Sequence, residues 1–173
     1  MEQIVIQKAS LGDMATIQGI GRQTFFETFA HGNTGDDMDK YLDEHFSEVK
    51  IKAELSHPES LFFIAREGIE AVGYLKLNTG QAQTELQEKE GIEIERIYVK
   101  SAYHGKKVGQ LLYDRALEIA QLQGKSYLWL GVWEENPRAI RFYEKNGFVV
   151  FDKHIFKVGN DEQTDLMMKK ELR

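Results

Sequence analysis

The run Asn136-Pro137-Arg138-Ala139-Ile140-Arg141-Phe142-Tyr143-Glu144-Lys145-Asn146-Gly147-Phe148 puts proline where a helix accepts it best, at the first turn, and glycine where a helix ends. The spacing predicts a short helix reaching Asn146. Asn136 and Tyr143 are two helical turns apart, so both face one groove. A helix-mounted phenol at that place is a candidate proton donor, although an aromatic on a short helix also serves as core packing. Just upstream, Tyr127 to Trp133 is a near-continuous apolar run and reads as a buried strand.

Further upstream, the strand Ile92 to Val99 is followed by Tyr103-His104-Gly105-Lys106-Lys107-Val108-Gly109-Gln110-Leu111-Leu112, which passes directly into an amphipathic helix. Val108, Leu111, Leu112, Ala116, Ile119 and Ala120 mark its buried face, and Gly124 stops it. A glycine-containing turn between strand and helix exposes successive backbone N–H groups, which suit phosphate oxygens. Gly109 lets that backbone approach a ligand closely, and Lys106 and Lys107 add positive charge. Two other phosphate motifs are excluded. Gly105 and Gly109 are followed by neither the spacing nor the Lys-Ser/Thr pair of a Walker loop, and the three spaced glycines of a dinucleotide fingerprint are missing.

The remaining chain supplies a scaffold for these two segments. Ile4 to Ile6 begins a strand, and Ser10 with Asp13 resembles a capping box before a helix carrying Met14, Ile17, Ile20 and Phe25 inward. His31 to Gly35 breaks the pattern. Asp36 to Phe46 resumes as an acidic helix with Met38, Leu42 and Phe46 on one side, and Ser47 caps another that ends before Pro58. Leu61 to Ala65 and Val72 to Leu77 flank Glu67-Gly68 as an antiparallel hairpin. Asn78 to Gly91 is polar and reads as a mobile loop, the best candidate for a lid. Phe148 to Ile155 and Thr164 to Lys169 are the last strands. The order predicts one α+β domain over 1–173, with a mixed, mostly antiparallel sheet of about seven strands.

Composition narrows the function. With 42% hydrophobic and 29% charged residues the chain is an ordinary globular one, and no apolar run approaches a membrane span. Without a basic, apolar leader at Met1-Glu2-Gln3-Ile4, a cytoplasmic location is expected. The absence of Cys removes disulfides, thiolate metal sites and cysteine nucleophiles. A net charge of −6 disfavours a nucleic-acid partner and favours a cationic small molecule. His31, His45, His57, His104 and His154 form no metal-ligand spacing, so no metal is expected.

The element order, the run His104 to Gly109 and the pattern Asn136, Ala139, Tyr143, Gly147, Phe148 together resemble the GNAT superfamily of N-acetyltransferases. That superfamily's cofactor motif, Gln/Arg-x-x-Gly-x-Gly/Ala, falls on His104, Lys107 and Gly109, and only the last matches. The resemblance implies acetyl-coenzyme A as cosubstrate. It also implies that Ile97, Tyr98 and Val99 hold the pantetheine arm as an added strand, that the turn from His104 to Gln110 takes the pyrophosphate, and that Asn136, Arg138 and Tyr143 flank the same arm. Tyr143 then protonates the departing thiolate. Glu95 is the implied base, acting through water, with Glu93 as competitor and pairing to Arg96 or Lys100 as the structural alternative for either.

Thr24 to Phe29, Tyr41-Leu42, Glu95 to Val99, Leu128 to Glu134 and the tail His154 to Asp165 are further similar to the bacterial polyamine acetyltransferases called PaiA. That narrower likeness implies a polyamine such as spermidine or spermine as acceptor. Glu27, Asp36, Asp37, Asp39, Asp43 and Glu44 would gather its charges, and Phe29, Tyr98 and Trp133 would wall its methylene chain. Another amine and a catalytically silent acetyl-coenzyme A sensor remain open alternatives. Direct transfer is expected, because there is no Cys and no Gly-x-Ser-x-Gly elbow. The two C-terminal strands offer a route to a homodimer.

Overall fold

A computed structural model describes residues 3–30, 35–158 and 160–172. Of the predicted break His31 to Gly35, residues 31–34 lie outside them, and Gly35 already belongs to the next helix. The chain runs β1 (Ile4–Lys8), α1 (Met14–Phe29), α2 (Gly35–His45), α3 (Glu48–Ser56), β2 (Ser60–Glu67), β3 (Glu70–Asn78), β4 (Gly91–Val99), α4 (Val108–Leu122), β5 (Tyr127–Trp133), α5 (Pro137–Lys145), β6 (Val149–Val158) and β7 (Asp161–Glu171). All seven strands join one sheet in the order β1-β2-β3-β4-β5-β7-β6. Only the β4–β5 pair is parallel, which makes α4 the crossover between them. The α+β fold with a mostly antiparallel sheet matches the sequence expectation.

Local signals placed the helix ends. The Asp13 carboxylate accepts the Ser10 N–H at 2.9 Å, the Ser47 hydroxyl oxygen accepts the Lys50 N–H, and Asn136 Oδ1 accepts the Ala139 N–H at 3.2 Å. The last two are N-caps, each satisfying an N–H that the helix itself leaves without a partner.

Both faces of the sheet are covered. On one, α4 seats Val108, Leu112, Ala116 and Ala120 against Leu75, Ile92 and Ile94, and Tyr143 and Phe148 extend this cluster. On the other, α1 to α3 bring Ile17, Met38 and Ile51 onto Phe62, Ile64 and Tyr74. Leu111, expected inside, is 38% exposed, and Tyr113 takes the inward position. The Tyr113 hydroxyl accepts from Lys170 Nζ at 3.1 Å, so this large ring is buried without losing its polar partner.

The 78–91 segment is pinned rather than loose. Gln83 is buried and accepts the Trp129 indole N–H at 2.7 Å, while the Thr84 N–H and hydroxyl both donate to Glu93. The polar composition that suggested a lid instead satisfies a buried donor and a buried carboxylate of the sheet.

Candidate active site

β4 and β5 pair only from Gly91–Tyr127 to Ile94–Leu130, after which they part. Residues 95–99 on β4 and 131–133 on β5 therefore form the two walls of a split in the middle of the sheet. The split opens into a cavity of about 830 Å³, lined by the turn into α4 and by α5, and also by residues of α1, α2, β6 and β7. The β3–β4 register slips there: Lys76 faces Arg96 and Leu77 faces Ile94, leaving Glu95 as the extra residue of a bulge. Beyond that bulge the β4 backbone borders the cavity without β5 beside it.

The turn into α4 is built for backbone donors. Gly105 has φ +80° and Lys107, the residue before the first helical turn, has φ 65° and ψ 15°. A left-handed residue at a helix start turns consecutive N–H groups into one concavity, a geometry that binds phosphate oxygens. At Gly109 an added Cβ would come no closer than 3.9 Å to Val99, so the protein's own packing does not demand glycine there. The missing side chain leaves room on the cavity side.

The other expected cofactor residues divide. His104, Gly105, Lys107, Val108, Gly109, Gln110, Asn136, Arg138 and Tyr143 line the cavity, together with Ile97, Tyr98 and Val99. Lys106 does not line it, and its ammonium lies 5.1 Å from the Tyr103 ring centroid, on the protein surface. His104 Nε2 lies 2.9 Å from the Val99 carbonyl oxygen, so one of the expected pantetheine contacts already has a protein partner. Burial first, and then the Arg138 charge, lower the pKa of that imidazole and favour its neutral form. Gln110 donates to Asp114 and to Asn146, joining α4 to the end of α5. Asn136 uses its oxygen as the α5 cap, so its contribution is to fix where α5 begins.

Tyr143 is 6% exposed, packed edge-on to Phe142 and Phe148 with ring centroids 5.4 and 5.6 Å away. Its hydroxyl has no hydrogen-bond partner among the described residues and borders the cavity. Burial pushes the phenol's pKa well above its ordinary value, so it enters any reaction protonated, as an acid.

Glu95 also borders the cavity, but its carboxylate is occupied. Lys76 Nζ approaches at 2.6 Å, Asn78 Nδ2 at 2.8 Å and Arg96 at 3.3 Å. Burial alone would raise its pKa, yet Arg96, Lys76 and the Asn78 amide outweigh that and hold it at about 2. Such a carboxylate is a weak proton acceptor, which argues against Glu95 as the group that deprotonates the amine. Arg96 in turn grips Glu54 through two parallel bonds of 3.0 and 2.9 Å. Glu93 is buried, its pKa raised by that burial, and both oxygens accept hydrogen bonds from Asn78 or Thr84.

The acidic stretch of α2 does not reach the site: Asp36, Asp39, Asp43 and Glu44 are exposed, and Asp43 pairs with Arg22. From that expectation only Glu27 borders the cavity, where it accepts the Ser101 N–H and hydroxyl. The aromatic wall is present, since Phe29 and Trp133 meet at 4.8 Å. Sequence reading missed Glu54 of α3, Glu85 of the connection before β4 and Asp165 of β7, which converge on the same cavity. Alternation along β7 puts Asp165 on the face of Met167, but nothing local shows that this face borders a split.

Residues 22–148 match the Acetyltransferase (GNAT) family. An uncharacterized N-acetyltransferase in the pepI 3' region of Lactobacillus delbrueckii subsp. lactis is 38% identical over 172 residues, 99% of each chain. The spermidine N(1)-acetyltransferase of Thermoplasma acidophilum is 27% identical over 171 residues, 96% of each chain. The crystal structure of the PaiA N-acetyltransferase from the same organism, in complex with coenzyme A, superposes with a TM-score of 0.80 at 26% identity, covering 98% of this chain and 99% of that one. A parted β4–β5 pair, a phosphate-type turn and a protonated tyrosine on a capped helix, in a chain with these relatives, identify the protein as a member of the GNAT family of acetyl-coenzyme A-dependent N-acetyltransferases.

Proposed function

We propose that the protein is a cytoplasmic enzyme that moves the acetyl group of acetyl-coenzyme A directly onto a primary amine of a polyamine such as spermidine or spermine. The observation that carries this reading is the lining of this one cavity. Backbone donors and an unpaired strand edge suit phosphate and pantetheine, and carboxylates and aromatic rings lining the same cavity suit an alkyl ammonium. The named activity of the Thermoplasma relative supports the polyamine class.

In this reading the turn from His104 to Gln110, apart from Lys106, receives the pyrophosphate. The Ile97 to Val99 backbone aligns the pantetheine, and Arg138, exposed at the cavity rim, adds charge near the phosphates. Tyr143 gives its proton to the departing sulfur. Glu95 serves mainly to hold Lys76 and Arg96 in place. Transfer occurs within a ternary complex, because the chain has no cysteine to carry the acetyl group and no Gly-x-Ser-x-Gly elbow.

The test is coenzyme A release from acetyl-coenzyme A with spermidine, spermine, putrescine, lysine peptides and aminoglycosides. Saturable turnover confined to the polyamines is expected. Turnover on a different amine would replace the substrate class, and binding of acetyl-coenzyme A with no turnover on any amine would turn the reading into that of a sensor.

The same reading extends to assembly. β6 lies at one edge of the sheet, and Val149, Val150 and Ile155 on it are 66%, 48% and 63% exposed. A second copy pairing at this edge would cover them. Sedimentation velocity is expected to show a dimer that Ile155→Lys dissociates. A wild-type monomer at tens of micromolar would dismiss it.

A further inference from the structure

Amine acetylation needs a group that binds an ammonium and removes its proton, and the cavity holds one half-buried carboxylate without a protein partner. Glu27, Glu54, Glu85, Glu93 and Glu95 each accept a hydrogen bond or form an ion pair, and Glu135, which also lines the cavity, is exposed to solvent. Asp165 makes neither among the described residues, although it is shielded from bulk water on β7. In register it stands between Trp133 of β5 and His154 of β6, and all three side chains border the cavity. Directly opposite residues of neighbouring strands share a face, so the indole, carboxylate and imidazole form one row across the sheet. Next to them, Gly131 keeps the approach open: a Cβ there would lie 3.0 Å from Asp165 Oδ2. His154 Nδ1 lies 2.7 Å from Glu85 Oε1, so the neighbouring imidazole is engaged with the glutamate.

We propose that Asp165 is the catalytic carboxylate of the acceptor site, ion-pairing with the incoming primary ammonium and taking its proton. The inference rests on the acetyltransferase reading above and adds to it the group that Glu95 cannot supply. In the step, the R–NH₃⁺ group passes one proton to the Asp165 carboxylate, and the freed nitrogen lone pair forms a bond to the thioester carbonyl carbon. The carbon–sulfur bond breaks with its electron pair on sulfur, which takes the Tyr143 proton. The nitrogen loses its surplus proton to the tyrosinate. The products are the amide, the coenzyme A thiol and a proton on Asp165 that returns to solvent.

Burial pushes Asp165 up to about 6, where it is both ionised at neutral pH and far more basic than Glu95. Other titratable groups around it are His154 on β6, Glu85 before β4, Tyr98 on β4 and Tyr41 on α2. A base in this range works efficiently near its own pKa.

The experiment compares wild type, Asp165→Asn and His154→Gln, using spermidine and the rest of the amine panel from about pH 5 to 9, with acetyl-coenzyme A binding measured separately by calorimetry. Asp165→Asn is expected to lower kcat/KM for the amine by roughly 100-fold or more and to leave the acetyl-coenzyme A Kd within about twofold. Wild-type kcat/KM should rise through an apparent pKa near 6 and level off. In Asp165→Asn the rise should continue without levelling, because only the neutral amine, with a pKa near 10.4, then reacts. His154→Gln should keep the wild-type profile shape. An unchanged kcat/KM and pH profile in Asp165→Asn, with wild type active, overturns the Asp165 assignment and leaves the acetyltransferase reading intact. Transfer of the acidic limb's loss to His154→Gln overturns it likewise. No coenzyme A release by wild type with any amine ends the parent reading, and Asp165's role with it.

Discussion

At Tyr143 and Glu95 the same physical factor, burial, has opposite chemical results. For Tyr143 no charge lies close enough to offset burial, so the phenol stays protonated and its hydroxyl is available to the cavity. For Glu95 two cations outweigh burial, and the carboxylate stays ionised but is held as a partner of Lys76 and Arg96. Tyr143→Phe removes one oxygen and keeps the ring packing, so it is expected to lower kcat by about 100-fold while changing acetyl-coenzyme A affinity no more than threefold or so. Stopped-flow turnover and calorimetry check the two halves. A lost affinity with preserved turnover would make Tyr143 a binding residue only.

The turn into α4 and the parted strands are properties of elements, not of single side chains. Lys107 occupies a left-handed conformation that side-chain-bearing residues adopt at a cost of about 1–2 kcal/mol. Lys107→Gly relieves it and Lys107→Ala does not, although both remove the charge. The glycine variant should exceed the alanine variant by about 1 kcal/mol, or roughly 2–4 °C in Tm by calorimetry. Equal stabilities would mean that the loop relaxes out of this conformation in solution. The parting of β4 from β5 coincides with the β4 bulge at Glu95: β4 pairs with β5 only as far as Ile94, while the opposite edge of β5 stays paired with β7 along its full length.

For the whole molecule, the cavity lies between the part built on α1 to α3 with β1 to β4 and the part built on α5 with β5 to β7. A ligand that bridges this split contacts both and stabilises the folded chain as a unit. Coenzyme A at about 100 times its Kd is expected to add about 2.7 kcal/mol, raising Tm by roughly 5–10 °C for a chain of this size. A thermal shift assay with and without coenzyme A measures it. No shift at saturating ligand would remove the split as the cofactor site.

Much of this was written locally. Pro137 and Gly147 bracket α5, Ser47 caps α3, and apolar periodicity locates α4 and the strands, because capping and alternation depend on neighbours a few residues apart. The turn His104 to Gly109 and the Asn136–Tyr143 pair were legible for the same reason. What depends on distant residues was not. The sequence marks Glu95 as a strand carboxylate with Arg96 as an alternative partner, but only the folded sheet brings Lys76 of β3 to 2.6 Å from it and so changes its chemistry. It shows α2 as acidic, yet the fold turns most of those charges to solvent. Asp165 carries no local signal at all: its place in the cavity follows from strand order, since β7 lies between β5 and β6 and borders a gap that opens only where β4 and β5 part.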